Sequence, residues 1–331
     1  MKKLLAMLMA LAMVLTMVAC GNQNANNDEP NGEDTQIVIG YNAYGDASEF
    51  SQEITRGIME FAEKAGYKVL RADTGGDAAT AVQNVDTFLL QGANVIVDCS
   101  WDTSACEAVA DKCSENKVPC IVLDIYVENA DAYYVGVDNN AVGLSTGKGA
   151  GEWINANWEG QLDYILIAYN EAFGEGVRPR VGKIPEGLAE LGIEVAEDNI
   201  VWVDPASSDA AATCKQLGTD FLTAHPDAQH ILMCGANDEM AQGFLAAAET
   251  ANRTSNCIVV SNDLTSIGIS NIYEDNIWVG STGFFPEYYG NTVTQVIADI
   301  FAGNEVAHEI NTDIMFMTAE NIGDHYANPN G

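Results

Sequence analysis

Positive charge is scarce in this chain. Against 48 Asp and Glu there are 14 Lys and Arg, giving a formal net charge of −34. A surface this acidic repels phosphate backbones and anionic lipid, so nucleic-acid binding is excluded as a function. Histidine is rarer still, with four residues, His225, His230, His308 and His325. None has the spacing to another ligand that a metal site needs, and no metal is expected. Gly143, Ser145 and Gly147 have the Gly-x-Ser-x-Gly spacing, but an elbow serine stands on a sharp strand-to-helix turn and the preceding apolar run ends at residue 137, so no nucleophile elbow is expected. The stretch from Gly143 to Gly149 looks phosphate-like, but it has three residues between its first two glycines where a P-loop has four, and Gly149 follows Lys148 where Ser or Thr is required. Residues 73–77 and 155–160 lack the alternating oxygen ligands of a calcium loop. With no visible catalytic constellation, no enzyme activity and no cofactor are expected.

Cysteine is present eight times, yet the positions argue against a disulfide framework. Cys99, Cys106, Cys113 and Cys120 recur every seven residues, with Cys106 and Cys113 on one helix face. Seven residues along a helix is about 10.5 Å, too far for one disulfide or one zinc ion. Buried thiols are the better reading, with a Cys113–Cys120 bridge left open. Cys214, Cys234 and Cys257 have no evident partners.

Long apolar runs are confined to the N-terminus. Lys2 and Lys3 precede an apolar stretch from Leu4 to Ala19, the pattern of a secretory leader, too short and wrongly flanked for a stable membrane span. It ends in Met17, Val18, Ala19, Cys20 and Gly21, which resembles the bacterial lipobox with Met in place of the usual Leu. Residues 1–19 are therefore expected to be a signal peptide and Cys20 a lipid-anchored N-terminus on the outer face of the cytoplasmic membrane. Residues 22–35 hold one aliphatic residue, Ala25, and read as a flexible tether.

From Gln36 onward short apolar runs alternate with amphipathic stretches. The runs at 37–40, 68–72, 95–98, 120–124, 133–137, 164–168, 200–203, 230–234, 258–261 and 278–281 read as buried parallel strands. Phe50, Ile54, Ile58 and Phe61 form one stripe of a helix that stops at Gly66. Alternation of this kind means βαβ units with right-handed crossovers, and the length exceeds what one core usually holds. The expected fold is α/β with two doubly wound parallel-sheet lobes; a closed eight-stranded barrel is the structural rival. In doubly wound sheets ligands sit beyond the C-terminal strand ends. Those segments here are rich in Asp, Asn and aromatics, the groups that bond hydroxyls and stack on sugar rings. Trp101, Tyr126 and Tyr169 are cleft candidates from strand-end position, each equally readable as packing.

The run Leu222 to Asp227, then Gly235, Ala236, Asn237, Asp238, Glu239, Met240, Ala241 and Gly243, closely resembles the ribose- and galactose-binding proteins of ABC sugar importers. Asp46, Glu49, Phe50, Gly57, Gly66, Tyr67, Pro119, Ile121, Asp124, residues 133–138, Arg178, Arg180, Asn262 and Asp263 extend the match in order. The resemblance implies the type I periplasmic-binding-protein fold with three passages between lobes, near Asp138, Phe284 and Glu305. It divides the folded chain into residues 36–138 plus 285–307 and residues 139–284 plus 308–331. It implies a receptor, expected to be monomeric, that closes on a small sugar and presents it to an ABC permease. The alternatives are a sensor of the same fold feeding a kinase or chemoreceptor, and an exported enzyme or structural lipoprotein.

By the same resemblance Phe50 would stack on the sugar, Asp124 and Arg180 would bind hydroxyls from opposite lobes, and Asn237 and Asp263 would complete the polar ring. Ser48, Trp101, Tyr126, Tyr169 and Phe284 are secondary candidates. Other roles stay open: Phe50 as a core residue, Asp263 and Asp238 as helix caps, and Arg180 paired with Glu175 or Glu186. The chain also departs from the ribose-type pattern. Ile125 stands where a basic residue follows the aspartate, a second stacking aromatic is missing near Ser207, and Phe284 and Phe285 replace a polar residue. The sugar's identity is therefore left open.

Overall fold

Ten strands form at the ten apolar runs: β1 (Val38–Ala43), β2 (Lys68–Asp73), β3 (Val95–Asp98), β4 (Cys120–Leu123), β5 (Ala132–Gly136), β6 (Tyr164–Ala168), β7 (Ile200–Val203), β8 (Ile231–Gly235), β9 (Cys257–Asp263) and β10 (Trp278–Gly283). The computed structural model describes residues 36–206 and 209–329, so the leader, Cys20, the tether and Ser207 lie outside the described residues. β3, β4 and β8 are buried along their whole length, which is why they read as unbroken apolar runs rather than alternating ones. β2 is an edge strand, half exposed, and carries Lys68 and Arg71, charges that discourage edge-to-edge pairing.

Two short strands complete the sheets: β11 (Glu309–Asn311) and β12 (Met315–Met317). One sheet has the order β11-β5-β4-β3-β1-β2 and the other β12-β10-β9-β8-β6-β7. All pairings are parallel except β12 on β10. Two open sheets of six strands replace the barrel alternative. Because β11 adds to β5, the third passage between sheets runs from Asn311 to Met315, later than the expected position near Glu305.

The helices cover these sheets. They are α1 (Glu49–Lys64), α2 (Ala78–Leu90), α3 (Thr103–Asn116), α4 (Asn139–Trp158), α5 (Pro179–Gly182), α6 (Ile184–Ala189), α7 (Ala210–Ala224), α8 (Asp238–Thr250), α9 (Ser266–Tyr273) and α10 (Tyr289–Ala302). α1 buries Phe50, Ile54 and Ile58 of the stripe expected from its sequence, while Phe61, its fourth member, is only half-buried. After β10 the chain returns to the first lobe as α10, which packs on α1 through two glycines. A Cβ on Gly290 would lie 2.1 Å from the Gly57 carbonyl oxygen, so no other residue fits there. The glycine-rich face of α4 lets it approach its neighbours closely. At Gly147 it packs on a helix, since a Cβ there would meet the Ile184 carbonyl oxygen on α6. Gly149 does face a strand, against the Phe316 ring of β12.

All seven described cysteines are buried and unbridged. Cys106 and Cys113 sit on the buried side of α3, as small apolar residues do. Cys113 and Cys120 are hydrogen-bonded thiols, an arrangement that, with burial, pushes the Cys120 thiol well up.

Candidate functional site

Backbone conformation marks the site first. Trp101, Asp124 and Asp263 all take left-handed φ values, 52°, 62° and 97°, just where β3, β4 and β9 end. Non-glycine residues adopt this region at a cost of order 1–3 kcal/mol each, so it persists only where the surroundings impose it. The strain turns each side chain out of its strand and toward one cleft between the lobes.

That cleft encloses about 200 Å³. Drug-sized ligands take roughly 300–1,000 Å³, so the space suits one small ring. Tyr44, Phe50 and Trp101 form its aromatic wall, with ring centroids 5.3 Å (Tyr44–Trp101) and 5.6 Å (Phe50–Trp101) apart. Phe50 is 8 % exposed and packs edge-on against Phe284 and Tyr289, so it serves the core and the cleft together. The indole Nε1 of Trp101 is buried with no hydrogen-bond partner among the described residues.

The polar residues come from both lobes. Asp124, on the first, accepts a 2.8 Å hydrogen bond from Tyr289 Oη at Oδ1, and its Oδ2 has no hydrogen-bond partner among the described residues. Burial pushes its carboxyl up to about 6, against the opposing pull of Arg180 and the Tyr289 hydroxyl. Arg180, on α5, donates from Nε to Asn139 Oδ1 at 3.0 Å and lies 4.8 Å over the Phe284 ring. Its Nη1 is 3.9 Å from Asp263 Oδ1, a Coulombic contact too long for a hydrogen bond. Burial raises the Asp263 carboxyl well above the carboxylate range, with Arg180 opposing. Arg180 therefore does not pair with Glu175 or Glu186; Glu186 takes Lys183, and Glu171 takes Arg178.

Asn237 caps α8, accepting from Met240 N–H at 3.0 Å, which leaves its amide NH2 unbonded among the described residues. Asp238 is a buried brace. It accepts from Thr265 N–H (2.7 Å), Thr265 Oγ1 (2.9 Å) and Ser281 Oγ (2.9 Å). These bonds tie the start of α8 to the turn that carries Asp263. Asp263 itself caps nothing; α9 begins after Thr265 without a side-chain cap.

Seven sequence candidates line the cleft together: Ser48, Phe50, Trp101, Asp124, Arg180, Asn237 and Asp263. Tyr126, Tyr169 and Phe284 do not line it. Tyr126 stacks on Tyr134 at 4.0 Å and donates to Glu309. Tyr169 is buried and its hydroxyl donates to the Gly174 carbonyl, holding the loop before α5. Phe284 lies behind Phe50 and Arg180. Sequence reasoning did not single out Tyr44, Asn170, Phe173, Val177, Glu239 or Met240, which also line the cleft. The strand-end rule pointed to the segments holding all but Met240, but not to the side chains that turn inward.

A family model described as periplasmic binding protein domain matches residues 39–305. The chain belongs to the periplasmic binding protein family. As a member it is a solute carrier, not an enzyme. It is 23% identical to the ribose import binding protein of Bacillus subtilis, over 96% of this chain and 99% of that one. Among solved structures, an ABC transporter solute binding protein from Mycobacterium smegmatis with bound glycerol superposes with a TM-score of 0.75 at 22% identity, covering 87% of this chain and 96% of that one. A periplasmic solute binding protein from Actinobacillus succinogenes with bound D-allose also gives 0.75, at 17% identity, covering 88% and 100%. These binding proteins share the two-lobed type I architecture.

Proposed function

We propose that this binding protein is the solute receptor of an ABC importer, takes a monosaccharide, a hexose or pentose, into the interlobe cleft, and delivers it to a membrane permease. The observation that carries the reading is the pairing of an aromatic wall (Phe50, Trp101) with carboxylate, guanidinium and amide groups from both lobes around one ring-sized space. Aromatic faces suit the C–H face of a sugar, and Asp124, Arg180, Asn237 and Asp263 suit its hydroxyls through charge-assisted bonds. A sugar bonded from both lobes favours the closed form over the open one, and hinge closure is the motion the handled solute selects.

On this reading the receptor works as a monomer on the outer face of the cytoplasmic membrane, anchored by lipid at Cys20; the leader-like residues 1–19 and the lipobox-like run ending at Cys20 support the anchor. Similarity to the ribose and allose carriers supports the sugar class. Equilibrium dialysis with radiolabelled pentoses and hexoses tests the binding claim. One sugar is retained by the wild type and lost in both Asp263→Ala and Arg180→Ala; unchanged affinity in both variants refutes the site. Cys20→Ser releases the protein from membranes; continued anchoring refutes the lipid attachment.

A further inference from the structure

The cleft is unbalanced in charge. Among its lining residues are three carboxylates, Asp124, Glu239 and Asp263, and one cation, Arg180. No second cation enters beside Asp124, because the next residue is the buried, apolar Ile125. Nor is Arg180 free to neutralise all three. Its Nε is bonded to Asn139, its face lies over Phe284, and its Nη1 reaches only to 3.9 Å from Asp263.

Two of the carboxylates are short of partners. Asp124 is 4 % exposed with Oδ2 unbonded, and Asp263, 7 % exposed, accepts no hydrogen bond from the described residues. Burial, added to by like charge from Glu49 and Asp209, raises the Glu239 carboxyl. Beside these acids stands the aromatic wall of Tyr44, Phe50 and Trp101. Carboxylates against aromatic faces are the surroundings an ammonium group prefers, through ion pairing and cation–π attraction in a partly dry site. The negative charge of the whole chain adds potential of the same sign.

We propose that the ligand of this cleft is a protonated amino sugar, its hydroxyls held as in any monosaccharide site and its ammonium group set among Asp124, Glu239 and Asp263. The assignment rests on the reading of the cleft as a monosaccharide site. A neutral sugar leaves the three acids sharing one guanidinium, whereas an ammonium supplies the missing positive charge and donates to oxygens, Asp124 Oδ2 among them, that accept no hydrogen bond from the described residues.

Calorimetric titration of the purified full chain with matched pairs tests this: glucosamine against glucose, galactosamine against galactose, mannosamine against mannose, slightly below neutral pH. For at least one pair the amine binds roughly tenfold tighter or more, and its affinity weakens as salt is raised while that of the neutral sugar does not. Glu239→Gln, at a partly exposed position that tolerates the change, reduces the amine's affinity more than the neutral sugar's. Equal or tighter binding of the neutral member in every pair overturns the amine assignment and leaves the sugar reading standing. Absence of binding by both members of every pair overturns the sugar reading itself, and the amine assignment with it.

Discussion

The guanidinium of Arg180 lies 3.9 Å from the carboxylate of Asp263, with each side chain only 9 % exposed. Asp124 feels the same guanidinium, so one cation compensates two buried acids. Removing one partner of a buried charge pair costs about 3–5 kcal/mol, because it strands the other. Arg180→Met should therefore lose sugar binding and lower unfolding stability by up to about that amount at mildly alkaline pH, where the two aspartates are ionised. Part of the loss should return in mild acid, where the stranded aspartates become protonated. Urea unfolding at the two pH values checks both statements.

Asp124 gives a second pH prediction with a definite sign. Its carboxyl is pushed up to about 6 in the folded protein, while in an unfolded chain an aspartate titrates near about 3.9. The folded state thus holds this proton more tightly. Its contribution to stability is greatest below about pH 4, declines as pH rises through about 6, and is flat above. The span is on the order of 3 kcal/mol. Asp124→Asn, which cannot ionise, should flatten that part of the ligand-free stability profile between about pH 4 and 7. An unaltered slope would place the titrating group elsewhere.

Asp238 is expected to matter without touching solute. It accepts from Thr265 N–H, Thr265 Oγ1 and Ser281 Oγ and so fixes the turn after β9. Asp238→Ala leaves these buried donors unpaired and should cost about 2–4 kcal/mol. Because Asp263 is carried on that turn, affinity should fall as well. Chemical denaturation together with a ligand titration separates the two effects.

Hydrogen bonds between the lobes also stand at the border of the solute space. Ser266 Oγ donates to Glu49 Oε2 at 2.7 Å, and Thr103 Oγ1 donates to the Phe173 carbonyl at 3.3 Å. Each is made only when the lobes are together. Bonds of this kind are worth about 0.5–1.5 kcal/mol, so Ser266→Ala and Thr103→Val should each weaken binding roughly two- to tenfold. The change should appear in the dissociation rate measured by stopped flow, with ligand-free stability unaltered.

The parts of this fold legible in the sequence are those whose signal is burial. β3, β4 and β8 are covered on both faces, and their unbroken apolar runs announce them. β11 and β12 were missed because three residues are too few to show a period, and Glu309 and Asn311 carry no apolar signature. The cleft was legible at the level of strand ends, since topology alone places those ends together. Which side chains turn inward was not. Tyr126 and Tyr169 occupy the same kind of position as Trp101, yet one stacks on Tyr134 and the other bonds the Gly174 carbonyl. Aspartate enters the left-handed region more readily than most residues, but that preference singles out neither Asp124 nor Asp263 among the chain's many aspartates, and Trp101 has no such preference.

The central claim is that the cleft closes on a monosaccharide. The most direct measurement is the thermal unfolding midpoint of the purified protein against a panel of pentoses, hexoses, their amino derivatives and polyols, run beside Asp263→Ala. A ligand bound only by the native state raises the midpoint with concentration. At least one sugar should do so in the wild type and fail to do so in the variant. A flat response to every sugar, or a shift that survives in Asp263→Ala, would contradict the account.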